Sequence, residues 1–90
     1  MKVEHLKENE EYIIYFKDRC TYSMDVGGKT YHRVFRRGRR YIGKYVSFAP
    51  ELNFPGTDGQ GVVTFNIDGR VVRFIHSVAK YEMIFRLSNE

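Results

Sequence analysis

The sequence predicts one all-β domain over residues 1–90, a small compact barrel, and three observations predict it. β-branched and aromatic residues dominate, and helical periodicity is poor almost everywhere. Turn signals recur about every ten residues, the rhythm of a sandwich or barrel. At three of those turns, the register that the turn imposes also sorts apolar from polar side chains.

A first strand is expected at about Glu11 to Lys17, with Ile13, Ile14, Tyr15 and Phe16. The next signal is Gly27-Gly28, a two-residue turn that tolerates positive φ at both positions. It pairs Val26 with Lys29, Met24 with Tyr31, Tyr22 with Arg33 and Cys20 with Phe35. Cys20, Tyr22, Met24, Val26, Tyr31 and Phe35 then share one face, and Arg19, Ser23, Asp25, Thr30, His32 and Arg36 the other. Lys29 and Arg33 fall on the apolar side, where long basic stems can cross apolar surface and keep their charge in water. An arm projecting beyond the barrel would also explain them.

A third turn is expected around Gly38-Arg39. It pairs Phe35 with Ile42 and Tyr31 with Val46, and puts Tyr41 and Tyr45 on the opposite face, beside Arg36 and His32. Gly43 within this strand suggests a bulge or sharp bend. Ala49 to Gln60, with Pro50 and Pro55, reads as a long, polar, mobile connector. Asp68-Gly69 gives the clearest hairpin, from Gly61 to His76. Val63, Phe65, Ile67, Val72 and Phe74 form its core face, with Thr64, Asn66 and Arg73 outside. Ser77 to Lys80 is long enough for one helical turn, and a last strand follows at about Tyr81 to Leu87.

This order resembles the layout of Src-homology-3-like small barrels: about five core strands, a long hairpin excursion (Asp18 to Arg39), a second loop, a distal turn at Asp68-Gly69 and a short helical turn before the last strand. The resemblance is one of layout. The Ala-Leu-Tyr-Asp-Tyr-like stretch and groove tryptophan of proline-peptide-binding members are missing, and the chain has no Trp. Proline-rich peptide recognition is therefore disfavoured, while other barrels of this layout bind nucleic acid. An OB-like barrel is the alternative, but it normally carries a helix where the proline- and glycine-bearing connector stands.

Charge is unevenly spread. Lys29 to Lys44 holds seven cations and no acid, leaving eight Lys and Arg elsewhere against eleven Asp and Glu. A basic segment on a mildly acidic body points to an acidic or phosphate-bearing partner. The candidate anion-binding residues are Lys29, His32, Arg33, Arg36, Arg37, Arg39, Arg40, Tyr41, Lys44 and Tyr45. Guanidinium forks suit phosphate, and tyrosine rings suit bases. The expected function is a small binding module for DNA or RNA. The alternative is a protein-interaction module, such as a phage or mobile-element accessory or inhibitor that docks an acidic partner. Val62 and Ile75, on the outer face of the best hairpin, would then supply a partner or self-association patch.

Other chemistry finds little support. His5, His32 and His76 are scattered, and with one cysteine they lack zinc-ligand spacing. Gly56-Thr57-Asp58-Gly59-Gln60-Gly61 lacks the Lys-Ser/Thr ending of a phosphate loop and leads into no helix. Asp18, Asp25, Asp58 and Asp68 fall at turns, where Asp bonds backbone. Ser47 and Ser77 show no base partner. No enzyme activity, metal or cofactor is expected. Cys20 as sole cysteine favours a reducing, cytoplasmic setting. No apolar run approaches the roughly 20 residues of a membrane helix, and Met1 to Glu11 lacks the apolar core of a signal peptide.

Overall fold

A computed structural model describes residues 1–52 and 61–88. The described chain is mostly strand. After a 3-10 turn at Val3–His5 come β1 (Glu11–Phe16), β2 (Cys20–Val26), β3 (Lys29–Phe35), β4 (Tyr41–Ala49), β5 (Val62–Ile67), β6 (Arg70–Ile75), a short helix α1 (His76–Tyr81), longer than the single turn expected, and β7 (Met83–Leu87). β6, β5, β4, β1 and β7, in that order, form an antiparallel sheet. β2 and β3 form a separate two-stranded sheet, and neither sheet closes on itself. From residue 53 to residue 60 the expected connector, including the glycines before Gly61, lies outside the described residues. β4 itself continues to Ala49, where that connector was expected to begin.

Two hairpins form in the register their turns dictate. Asp68 (φ 55°) and Gly69 (φ 79°) are both left-handed, as a two-residue turn with right-handed strand twist requires. Phe65 faces Val72 and Val63 faces Phe74, and all four are buried. Across Gly27-Gly28, Cys20 meets Phe35, Tyr22 meets Arg33 and Met24 meets Tyr31. Phe35 is fully buried, and Cys20 and Tyr22 pack against the core. Tyr31, on the same face, is exposed, because the arm runs out past the sheet it covers.

The third hairpin does not form. β4 pairs with β1 and β5 instead of β3, setting Tyr41 against Ile14 and Gly43 against Ile67. Side chains alternate along a strand, so this choice inverts the expected faces. Tyr41 and Tyr45 are 5% and 7% exposed, whereas Ile42 and Val46 are 37% and 38% exposed. Gly43 marks no bulge. It is buried where a Cβ would lie 2.7 Å from Ile14 Cδ1 and 3.0 Å from Ile67 Cγ1, so any larger residue would force those core side chains to shift. The irregularity falls between Tyr45 and Ser47. There the backbone of Tyr45 bonds to the segment before β1, donating to Glu10 O (3.0 Å) and accepting from Asn9 N–H (2.8 Å).

An aromatic cluster joins the two sheets. Phe35 of β3 stacks on Phe16 of β1 at 4.7 Å and meets the Tyr41 ring edge-on at 5.2 Å. Phe74 lies 5.7 Å from Phe35, and Phe65 stacks on Phe85 at 5.6 Å. Each such ring buried contributes about 1.5–3 kcal/mol, with a further increment for ring-to-ring geometry. Val3 and Leu6 of the charged N-terminal stretch also join this core, a contribution the sequence pattern did not announce.

Candidate functional site

Arg36 to Arg40 connects the two sheets. Phe35 and Tyr41, at its two ends, are both held in the core. The five residues between them are exposed. Gly38 (φ 76°) supplies the left-handed reversal, and Arg39 N–H donates to Arg36 O at 3.3 Å. Arg36 N–H donates to Tyr41 Oη at 2.8 Å. Arg37 bridges β1 at Phe16. The connection is thus tied down at its start, its middle and its end, while its four guanidinium groups stand in solvent.

Tyr41 supports this connection from below. Its ring is in the core, its hydroxyl accepts from Arg36, and the Arg39 guanidinium carbon sits 5.5 Å from the ring centroid. Tyr45 is also buried, edge-on to Phe65 at 5.7 Å. Burial pushes the Tyr45 phenol above its ordinary pKa, and the Glu8 carboxylate and Tyr12 add to the shift. Neither ring offers a free face, so the expected pair of stacking tyrosines beside the arginines is not there. The reason is the strand partner of β4, described above.

The remaining candidates are dispersed. Arg33 is committed elsewhere: Nη1 donates to Ile67 O at 3.0 Å, Nη2 pairs with Asp68 Oδ2 at 2.8 Å, and its guanidinium lies 4.6 Å over Phe35. It fastens the β2–β3 arm to the β5–β6 turn. That pair is the one salt bridge among the described residues, so none of the four connection arginines has an acidic partner there. Lys29 is exposed at the arm's turn. His32 is exposed, with Nδ1 hydrogen-bonded to Ser23 Oγ at 2.9 Å. Lys44 lies on the outer face of β4, opposite Glu11 on β1 and Asn66 on β5. The Phe16–Arg37 bridge fixes the connection against the end of β1, where exposed Lys17 follows Phe16 in the chain. The Lys17 backbone N–H donates to Glu82 O, and Glu82 and Asp18 are the acids of that end. No signal within one sequence links Phe16 to Arg37, because that contact is made by folding alone.

The Ser23–His32 contact is the one nucleophile–base geometry among the described residues, and the Gly27-Gly28 register already placed the two opposite each other. Both are exposed, and among the described residues nothing else bonds the imidazole or encloses the pair. A working dyad needs an oriented base and a site that excludes water. Cys20 is half-buried, and burial, then the nearby Glu82, raises its thiol pKa, away from nucleophilic use. No group of His, Cys, Asp and Glu among the described residues could hold a metal ion. No helix among them is long and apolar enough to cross a membrane. A separate cleft of 580 Å³ lies where the N-terminal turn meets α1 and β7, floored by Val3, Ala79 and Met83 and rimmed by Lys2, Lys17 and Lys80.

Comparison with models of protein families, with curated proteins and with solved structures finds no match to this chain. The site's own geometry therefore carries the functional reading.

Proposed function

We propose that this chain is a binding module, without catalysis, that holds nucleic acid by its phosphates through the Arg36–Arg40 connection. One observation carries the reading: four exposed arginines in five residues, fixed between buried aromatics, without an acidic partner among the described residues. Four like charges held this close repel one another, a cost that an anion relieves. Guanidinium forks bind two phosphate oxygens at once, which a lysine cluster made only for solvation would not need. The chemistry of the tip contacts the backbone, and positions without reading sequence.

The order of elements supports a Src-homology-3-like layout. β1 is followed by the hairpin excursion, β4, the tight Asp68-Gly69 hairpin, α1 and a closing β7 that lies beside β1. The free, half-buried Cys20 supports a reducing, cytoplasmic setting. A protein-docking function loses its original support, since Val62 is buried and Ile75 half-buried. It gains Ile42 and Ile84, exposed on the outer sheet face near Ile13, which pairs with Ile42.

Fluorescence anisotropy with a labelled duplex tests the proposal. Replacing Arg36, Arg37, Arg39 and Arg40 with Ala should weaken binding at least about a hundredfold at about 0.1 M salt, since each phosphate contact contributes a slope near 0.9 to the log–log salt dependence. Folding should be retained, because all four side chains are solvent-exposed. Unchanged affinity in the folded variant refutes the proposal. Retention of an acidic protein, with none of nucleic acid, would favour the protein-docking alternative.

A further inference from the structure

We infer that the arginine connection prefers a duplex to a single strand. This inference rests on the nucleic-acid reading and names the form of nucleic acid that the site takes.

Two structural facts carry it. First, the cations are crowded. The turn that brings Arg39 N–H to Arg36 O closes the connection on itself. Even fully extended, the span from Arg36 to Arg40 could not exceed about 14 Å. A duplex presents one charge per roughly 1.7 Å of axis, so that length offers about eight phosphates, and a single strand about half as many. Four closely set guanidinium groups are all neutralised more readily on the denser array.

Second, the described residues offer no stacking platform at the site. Single-strand binders combine a cationic track with aromatic faces that take successive bases. Tyr41 is buried with its hydroxyl engaged by Arg36, and Tyr45 is buried against Phe65. The exposed aromatic nearest in sequence is Tyr31, five residues before Arg36 and so about 17 Å along the chain. It faces the arm's inner side, beside Arg70 and Val71.

The magnitudes decide between the two forms. Four phosphate contacts give a salt slope of about −3.6 on duplex DNA and about −2.8 on a single strand. If only phosphates are gripped and the two forms bind equally at about 1 M salt, the duplex is favoured roughly sixfold at about 0.1 M salt and roughly elevenfold at about 0.05 M. A single stacked base would add roughly 5- to 150-fold to the single strand, enough over most of that range to reverse the order.

The test titrates the intact chain with single strands and duplexes of equal length, in DNA and in RNA, at several salt concentrations. The expected result is duplex preference in at least one of the two chemistries, growing as salt falls, with Tyr31→Ala changing neither affinity more than about twofold. A single strand bound as tightly as its duplex, or single-strand binding that collapses in Tyr31→Ala, overturns the inference while nucleic-acid binding stands. Binding to neither form, by contrast, sinks the nucleic-acid reading itself. The quadruple Arg→Ala variant, titrated alongside, should lose the duplex preference along with the affinity. A preference that survives in that variant belongs to another surface and also overturns the inference.

Discussion

Replacing Arg33 with Met should release the β2–β3 arm from the sheet. Met keeps an unbranched apolar stem over Phe35 and removes the guanidinium. Three interactions disappear together. The bond to Ile67 O involves a charged donor in a half-buried setting, a class that contributes about 1.5–3 kcal/mol. The Asp68 pair is worth less, about 0.2–1 kcal/mol, because that carboxylate is 61% exposed and screened. The guanidinium over the Phe35 ring adds about 0.5–1 kcal/mol. These overlap, and the freed side chain regains some rotamer entropy, so the expected net loss is about 2–3 kcal/mol. For a domain of this size that lowers Tm by about 8–24 °C. Urea denaturation measures the loss, and hydrogen exchange of the β2 and β3 amides locates it. Asp68→Asn is the discriminating partner. Asn tolerates the left-handed backbone at this turn and keeps an acceptor, so only the weak charge term is lost, about 1 kcal/mol or less. Equal losses in the two variants, or unchanged exchange in the arm, would refute the assignment of Arg33 as the fastener and the ranking of its bonds.

Two further outcomes follow from the core. Gly43→Ala should cost about 1–3 kcal/mol in a denaturant titration, because its Cβ would press on Ile14 and Ile67 in a filled interior; a stabilised variant would mean that the strands part freely there. Stability should also fall at alkaline pH. Burial raises the Tyr12 and Tyr45 phenols above their ordinary 10.0, with Glu10 opposing ionisation at Tyr12 and Glu8 at Tyr45. The folded chain therefore keeps protons that the unfolded chain releases, so stability is full below about pH 10 and is lost as pH rises through the raised values. Urea midpoints between neutral pH and pH 11 measure this, and Tyr45→Phe should flatten the decline. An unchanged decline in that variant would assign the loss to other groups.

Much of this architecture was legible in the residues. Gly27-Gly28 and Asp68-Gly69 act over a handful of positions, so each fixed its own hairpin register, down to the Ser23–His32 and Tyr22–Arg33 pairs. The exposed arginines were legible too, since no core could take four guanidinium groups in five residues. The faces of β4 were not. Its residues carry apolar side chains on both sides, Tyr41 and Tyr45 on one, Ile42 and Val46 on the other, and the Gly38 turn made β3 the nearest candidate partner. The contest is settled by distant strands. Pairing with β1 and β5 puts Gly43 where Ile14 and Ile67 need room, and puts the Tyr41 ring against Phe16 and Phe35. Two tyrosine rings bury more surface than Ile42 and Val46 would. The sequence alone determined that the chain is a β-rich domain with a cationic connection. Only the tertiary structure decided that the tyrosines beside it lie beneath the arginines and not among them, because the partner of β4, not its own pattern, chooses which of its faces is buried.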